Sequence, residues 1–435
     1  MSLRNRELAS LLAVGLITGC GFASVYIARR QVVSASSLTY GIFFLCLYLA
    51  AHLVTRRTVP HADPYLLPLG GLLTAIGVTE IYRINPGDAL RQSYWIVVGV
   101  AVFATTLVLL RRDYRRLESY KYVSGITAVG LLALPALPVI GQTVNGSRLW
   151  VHAGGLQFQP GEIAKLALIV FLAGYLREKR EVLAQGRLKD LGPLLAVWGA
   201  AMLILVETGD LGSALLFFGI FLAVLYIATG RALFVGAGVA LFAAGGLIAY
   251  DTIDRVRLRV TIWLHPWTDH AVYCAQNGKL ELRQNCASYQ LVKSLYSIGA
   301  GHFGGTGLGE GTFTLTNGAP VIPDLKTDFI FSALSQELGL IGIAAFLLVY
   351  MVFALRGFRA AMTVDDGFSK LLAAGLTFGF VLQTFIIVGG VVRIIPLTGI
   401  TLPFVSYGGS SIVANFVLLA GLLLVSNRAQ SRQLS

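Results

Sequence analysis

The residue whose type and position best suit proton transfer is Asp328. It stands in Thr327-Asp328-Phe329-Ile330-Phe331, where a polar loop gives way to an apolar run. Apolar neighbours would raise the pKa of its carboxyl group and suit it to accept a proton from a hydroxyl. The alternative is an acid at a helix start, after an N-capping Thr327, which contributes about 1 kcal/mol. The sequence leaves both interpretations open.

Other charged residues lie inside or beside apolar runs, where ionisable side chains are costly and become functional candidates. Glu162 and Lys165 are three residues apart and can pair on one face of a helix. An internal ion pair that holds the helices together explains them as well as a substrate role does. Glu207 and Asp210 bracket a short turn between two apolar runs, and turn residues need no catalytic explanation.

The composition places these residues in a membrane protein. Charged residues make up 13% of the chain and hydrophobic residues 56%, against roughly 25% charged in soluble proteins. The mean hydropathy is +0.73. One folded interior cannot hide this much apolar surface, so lipid must cover the rest. The basic residues behind the net charge of +12 flank apolar runs and form no stripe, so no nucleic-acid partner is expected.

The elements that must position the charged residues are therefore membrane-spanning helices. Apolar runs occur near residues 8–28, 38–54, 63–84, 93–110, 120–137, 160–176, 191–207, 211–229, 232–253, 327–355, 371–394 and 404–426. Several are about 17 to 25 residues long, the length a helix needs to cross the hydrocarbon core. The pattern predicts an all-α polytopic membrane protein with about twelve transmembrane helices and one long extracytoplasmic loop, 254–326.

Basic residues in the connecting segments predict the orientation. If the N-terminus is cytoplasmic, clusters such as Arg111, Arg112, Arg115 and Arg116 fall on the inside, and the short outer loops hold few basic residues. Lys and Arg concentrate on the cytoplasmic side of membrane proteins. Both termini are therefore predicted to be cytoplasmic.

Two of the four cysteines, Cys274 and Cys286, lie in the long outer loop. In an oxidising compartment they can close a disulfide, and the alternative is two unpaired thiols. The spacing does not decide between them, because bridging depends on geometry.

Several stretches, in this order along the chain, resemble the SEDS family of shape, elongation, division and sporulation proteins, which includes RodA and FtsW. They are Asn145-Gly146-Ser147-Arg148-Leu149-Trp150, Phe158-Gln159-Pro160-Gly161-Glu162-Ile163-Ala164-Lys165, Gly209-Asp210-Leu211-Gly212-Ser213-Ala214, His265-Pro266-Trp267, Tyr289-Gln290, Gly304 to Gly309, Thr327 to Phe331, Glu337-Leu338-Gly339 and Pro396 to Ser411. The resemblance covers most of residues 63–426.

The resemblance implies a peptidoglycan glycan-strand polymerase that uses lipid II, an undecaprenyl-pyrophosphate-linked disaccharide-peptide. It also implies a class B penicillin-binding protein as partner, a location in the bacterial cell (inner) membrane among its lipids, and Asp328 as the catalytic acid. The family core has about ten spans, so residues 1–62 would add two helices to a core at residues 63–435. The added pair favours a RodA-like role.

Candidate substrate-binding residues come from the same stretches and from the outer loops. The candidates are Arg148, Glu162, Lys165, Asp210, Lys293, Lys326, Glu337, Arg393 and Ser410. The negative charge of the diphosphate would be offset by the basic candidates, Arg148, Lys293, Lys326 and Arg393. A divalent cation such as Mg²⁺, if bound, would add to this charge compensation. No cofactor is required by the sequence.

Two other functions use the same helices. A lipid II flippase also suits buried charged pairs, and a scaffold would only position a transpeptidase. Neither needs an acid at the outer edge of a span, so the polymerase is preferred. The chain departs from the family pattern at Glu207-Thr208, where Gln-Pro is common, and in the segment from Cys274 to Cys286, which resembles an insertion.

Overall fold

The structure is a computed structural model that describes residues 2–30, 35–138, 140–144, 147–153, 156–184, 191–268, 271–274, 279–315 and 320–431. Its helices are α1 (Leu3–Arg30), α2 (Ala35–Thr58), α3 (Leu66–Ile84), α4 (Pro86–Leu110), α5 (Arg116–Ser119), α6 (Lys121–Ala133), α7 (Pro160–Ala184), α8 (Gly192–Glu207), α9 (Leu211–Thr229), α10 (Ala232–Thr252), α11 (Asp254–Leu264), α12 (Tyr289–Ala300), α13 (Ile330–Thr363), α14 (Gly367–Val391) and α15 (Gly409–Ser431). Its strands are β1 (Gly141–Val144), β2 (Ser147–Ala153), β3 (Leu156–Phe158), β4 (Ala271–Cys274) and β5 (Lys279–Leu282).

The predicted all-helical, multi-pass architecture is confirmed. Every predicted apolar run coincides with a helix, because the apolar stretches are long enough to satisfy their own backbone hydrogen bonds in lipid. Among the described helices, eight are long and apolar enough to cross a membrane, and two shorter apolar helices lie at Lys121–Ala136 and Gly192–Glu207. The count of twelve spans stays a prediction.

Aromatic side chains pack the centre of the bundle around a non-helical segment before α15. Phe404 meets Phe416 of α15 with ring centroids 5.7 Å apart, and Phe353 of α13 meets Phe380 of α14 at 4.4 Å. Tyr350 donates a hydrogen bond of 2.7 Å to the backbone oxygen of Pro403. Irregular backbone at membrane depth needs such internal partners, so these contacts hold the segment inside the bundle.

The longest helix, α13, is broken at Gly339, whose backbone has φ 66° and ψ −175°. A Cβ there would lie 2.1 Å from the backbone nitrogen of Gly305, so only glycine fits. The glycine-rich segment 301–311 therefore packs directly against the break. His302 and Phe303 accept backbone hydrogen bonds from the first residues after it.

The N-terminal helices α1 and α2 pack against α3. Phe22 stacks on Tyr40 and meets Tyr82 of α3 edge-on, with centroids 4.9 and 5.4 Å apart. At the opposite end of the pair, the buried Glu7 accepts a hydrogen bond from Arg4 and contacts His52 Nδ1 at 2.6 Å. The two helices are thus fixed at both ends.

One end of the bundle, called the loop face here, carries the connections α3–α4, α6–α7 and α8–α9 and the segments 253–329 and 392–408. Strands β1, β2 and β3 form an antiparallel sheet there, with Gln142 opposite Trp150. Strands β4 and β5 form a separate antiparallel pair, and Cys274 is bridged to Cys286 with a Cα–Cα distance of 5.8 Å.

Candidate functional site

A cavity of about 230 Å³ opens at the loop face and brings together four charged residues that the sequence singles out, Glu162, Lys165, Asp210 and Asp328. Its walls come from β2, from the first turns of α7 and α9, from α11, and from the segments 324–328 and 398–401. The ionisable residues in the wall are Glu162, Lys165, Asp210, Arg259, Asp324 and Asp328. A mixed polar and apolar pocket of this kind is the default binding site of an enzyme.

Asp328 faces the cavity from the segment before α13. The residue that caps α13 is Phe329, without a side-chain hydrogen bond, and the Thr327 hydroxyl donates to the backbone oxygen of Asp324 at 3.0 Å. The helix-cap alternative for Thr327 and Asp328 is therefore wrong. Burial, followed by the nearby Asp324 carboxylate, raises the pKa of Asp328 to about 7, against the influence of the Thr327 hydroxyl and the Arg259 charge.

The segment 398–408 holds the Asp328 loop in place. Tyr407 donates its backbone N–H to the oxygen of Lys326 at 2.9 Å, and Ser406 donates its hydroxyl to the oxygen of Thr327 at 2.6 Å. Gly399 has φ +75°, and a Cβ on it would lie 3.5 Å from Asp328 Oδ2. The backbone that carries Asp328 is thus held in place, and its side chain lines the cavity.

Asp210 both caps a helix and lines the cavity. Its Oδ1 accepts a hydrogen bond of 2.9 Å from the backbone nitrogen of Ser213, in the first turn of α9. Burial raises its pKa, while the bonds to Ser213 and the charge of Arg259 oppose the rise. The turn role expected from the sequence is present, and it leaves the carboxylate at the cavity wall.

Glu162 and Lys165 pair across one turn of α7, as their spacing predicts. Lys165 Nζ donates to Glu162 at 2.8 Å and to Gln383 Oε1 at 2.6 Å, and Thr401 donates to Glu162 Oε1 at 3.2 Å. Gln383 also donates to the backbone oxygen of Thr401 at 2.9 Å. The pair therefore joins α7, α14 and the segment before α15 at the floor of the cavity.

Arg259, on α11, is a site residue that sequence reasoning missed, and Asp324 of the cavity wall is another. Arg259 Nη1 donates a hydrogen bond of 3.4 Å to the backbone oxygen of Thr398. Its guanidinium also interacts electrostatically with the carboxylates of Asp210 and Asp328. Burial lowers its pKa and these two carboxylates oppose the shift. A signal existed, since Arg255, Arg257 and Arg259 alternate at the start of the long outer loop, but nothing in the sequence shows which one turns inward.

Three other candidates border the cavity without lining it. Lys326 pairs with Asp88 at 2.5 Å, and its ammonium lies 5.0 Å from the centre of the Tyr407 ring. Arg148 is on β2 between two lining residues, and its Nη1 donates to the oxygen of Ala136 at 3.5 Å. Ser410 Oγ accepts a hydrogen bond of 2.8 Å from the backbone N–H of Gln159, which lines the cavity.

The remaining candidates lie elsewhere on the loop face. Lys293 of α12 sits over the ring of Tyr289, 5.6 Å from its centre. Arg393 donates to the backbone oxygens of Trp263 and Leu264 at 2.7 and 2.8 Å. Glu337 of α13 binds Arg83 and the glycine-rich segment. Arg393 and Glu337 thus hold neighbouring segments, whereas Lys293 contacts a residue of its own helix.

The part of the chain that the structure describes forms no metal site of three or more His, Cys, Asp or Glu ligands. Asp210 and Glu162 are already engaged by Ser213 and Lys165. Mg²⁺ prefers near-octahedral oxygen ligands and is usually held by one or two carboxylates with substrate phosphates. The residues present therefore do not fit a dedicated magnesium site.

The chain is similar to several known proteins. A family model for FtsW, RodA and SpoVE, described as "Cell cycle protein", matches residues 67–431. The peptidoglycan glycosyltransferase RodA of Mycobacterium tuberculosis (strain ATCC 25618 / H37Rv) is 40% identical over 449 residues, covering 98% of this chain and 91% of that protein. Stage V sporulation protein E of Bacillus subtilis (strain 168) is 31% identical, covering 86% of this chain and 99% of that protein.

Solved structures show the same fold. A chain from a peptidoglycan synthase complex that coordinates polymerization and crosslinking matches with a TM-score of 0.66 and 27% identity, over 85% of this chain and 98% of that chain. The resemblance found in the sequence motifs is thus confirmed over nearly the whole chain. The chain belongs to the FtsW, RodA and SpoVE family of cell cycle proteins.

Proposed function

We propose that this chain polymerises glycan strands from lipid II with Asp328 as the general base. The chain is a peptidoglycan glycosyltransferase, because relatives that share 40% identity over 98% of its length carry that activity in their names. The observation that supports the role of Asp328 is its carboxyl group, which faces the cavity, caps no helix and has a pKa raised to about 7.

The reaction needs one proton acceptor and one stabiliser of negative charge. A hydroxyl oxygen of the acceptor sugar attacks the anomeric carbon of the donor, while Asp328 takes the hydroxyl proton. The new glycosidic C–O bond forms as the bond from the anomeric carbon to the diphosphate breaks. Undecaprenyl diphosphate leaves with the electron pair. A base with a pKa near the working pH is suited to this task.

Arg259 is the cation that best suits the leaving diphosphate. It lines the cavity together with Asp328, and its planar guanidinium can bind phosphate oxygens bidentately. Lys165 also lines the cavity, but its ammonium is already bound to Glu162 and Gln383. We therefore assign charge compensation to Arg259 and a positioning role to the Glu162–Lys165 pair. Any divalent cation would arrive with the diphosphate, and no step above depends on it.

The polymerase is favoured over the flippase alternative. The named activity of the relatives is glycosyl transfer, and Asp328 lies in the loop-face segment just before α13. A flippase needs polar groups that line a route between the two faces. In the cavity wall, Lys165 is instead bonded to Gln383, and Gln383 to Thr401, so these polar groups are engaged with one another.

Orientation and partner form part of the same proposal. The loop face is extracytoplasmic and both termini are cytoplasmic, which the basic residues of the opposite face support. The partner is a class B penicillin-binding protein, supported by the fold shared with a chain of a synthase complex that couples polymerization to crosslinking. The orientation can be tested with a reporter that works only outside the cytoplasm, fused after Ser435. Activity of this fusion would contradict the orientation.

The test is glycan synthesis from lipid II by purified protein, with a penicillin-binding partner whose transpeptidase is blocked. Asp328→Asn keeps the size of the side chain and removes the proton acceptor, so product formation should fall by roughly 10²-fold or more. Circular dichroism and lipid II binding should stay as in the wild type. Wild-type polymerisation by the folded Asn variant would refute the base assignment, and absence of polymer from the wild type would refute the polymerase.

A further inference from the structure

A buried acid outside the site, Glu80 of α3, has no hydrogen-bond partner. It is 1% exposed, and neither of its carboxylate oxygens contacts a donor in the described part of the chain. Glu80 lies four residues before the end of α3, which places it about 6 Å below that end. An ionisable side chain at this depth is expensive unless something compensates it.

The arginine that acts on Glu80, Arg83, already binds other groups. The charges that act on Glu80 are those of Glu337 and Arg83. Arg83 donates to Glu337 at 3.1 Å and to the backbone oxygen of Gly311 at 2.6 Å. Glu337 also accepts backbone hydrogen bonds from Gly309 and Gly311, at 2.9 and 3.1 Å. Both carboxylate oxygens of Glu337 therefore have hydrogen-bond partners. Glu80 is a second acid beside the same arginine, which already pairs with Glu337.

Glu80 lines an apolar cavity of about 510 Å³ between α1 and the rest of the bundle. Leu308, Leu334 and Leu338 close one side, and residues of α1 from Leu16 to Ser24 form the other. Leu16 is 71% exposed, so the cavity borders the lipid. The part of α1 that lines it is about 12 Å long, which suits a stretch of acyl chain.

Two threonine hydroxyls in the wall are bonded within their own helices and not to Glu80. Thr18 donates to the oxygen of Val14 at 2.7 Å, and Thr79 donates to the oxygen of Ala75 at 2.8 Å. Both bonds lie within their own helices, as is common for threonine in membrane helices. The cavity thus combines an apolar wall with one acid that lacks a hydrogen-bond donor and whose neighbouring arginine, Arg83, is bound to Glu337.

We propose that this cavity binds a phospholipid with a primary amine in its headgroup, of the phosphatidylethanolamine type, from the leaflet next to the loop face. The ammonium supplies the missing charge and up to three N–H donors for the two oxygens of Glu80. One acyl chain lies against the α1 wall. A metal ion is disfavoured, because the wall offers no second acid and its surface is apolar.

Native mass spectrometry of the full chain, titrated with phosphatidylethanolamine or phosphatidylglycerol, tests the proposal. The wild type should hold one phosphatidylethanolamine at least tenfold more tightly than phosphatidylglycerol. Glu80→Gln should weaken phosphatidylethanolamine binding at least tenfold, because it removes the charge and keeps the shape. Asp251→Asn, which removes an exposed acid at the end of α10, should leave the affinity unchanged.

A second pair of variants tests the cavity without touching Glu80. Cys20 and Cys46 are both exposed free cysteines, on α1 and α2, and only Cys20 lines the cavity. Cys20→Phe should fill the cavity and reduce phosphatidylethanolamine binding at least fivefold. Cys46→Phe should leave this binding unchanged. Equal binding of the two phospholipids, or unchanged binding by Glu80→Gln or by Cys20→Phe, would overturn the proposal.

Discussion

Ser406 Oγ donates a hydrogen bond of 2.6 Å to the backbone oxygen of Thr327, the residue before Asp328. The same hydroxyl accepts the backbone N–H of Leu402 at 2.9 Å. One buried hydroxyl therefore fixes both the turn before α15 and the loop that carries the proposed base. The position of Asp328 depends on a residue nearly eighty positions away in the chain.

Removal of this hydroxyl should slow catalysis without unfolding the protein. We expect Ser406→Ala to lower kcat by about five- to tenfold, because one such hydrogen bond contributes about 1 to 1.5 kcal/mol. Ser406→Thr should restore most of the rate, since it keeps the hydroxyl. Ser335→Ala is the matched control, because Ser335 is a buried serine whose hydroxyl bonds the oxygen of Phe331 in its own helix. Equal rates for Ser406→Ala and the wild type in the lipid II assay would contradict this role.

The pH dependence of polymerisation should follow the ionisation of Asp328. A general base must be unprotonated, so the rate should rise with pH through about 7, the pKa to which this carboxyl is raised. The Asp324 carboxylate contributes to that rise. Asp324→Asn should therefore lower the pKa and move the midpoint of the rate profile to lower pH. A midpoint that stays in place, or moves to higher pH, would show that Asp324 does not act on the base.

Arg259 should matter more than the cations that lie outside the cavity. Arg259→Gln should reduce the rate of glycan synthesis by about 10- to 100-fold, since a charge that stabilises the leaving group contributes most in the transition state. Its loss should also shift the midpoint of the pH profile upward, because its charge lowers the pKa of Asp328. Lys293→Gln is the comparison, since Lys293 does not line the cavity. Equal losses for the two variants would argue against a specific role of Arg259.

The bridge between Cys274 and Cys286 should be present in protein purified from the membrane. Alkylation under denaturing, non-reducing conditions should label only the free cysteines, Cys20 and Cys46. Prior reduction should add two labels, for Cys274 and Cys286. Mass spectrometry of the intact chain distinguishes these states. Four labels without reductant would show that the loop thiols are unpaired.

The sequence by itself determined the features that depend on short spacing and on hydropathy. Every apolar run became a helix, because a stretch of that length in lipid must satisfy its own backbone. Glu162 and Lys165 pair because helix geometry places residues three apart on one face. Asp328 could be singled out by its apolar neighbours and its place at the start of a span.

The tertiary structure decided which charged residues meet. Arg259 interacts with the carboxylates of Asp328 and Asp210. Arg393 instead donates to the backbone oxygen of Trp263 and does not line the cavity. These contacts depend on how the long loop folds back over the bundle, and no local spacing encodes that path. Glu80 was missed for the same reason. Its isolation becomes visible only once Arg83 is seen to bind Glu337, an acid more than two hundred residues further along the chain.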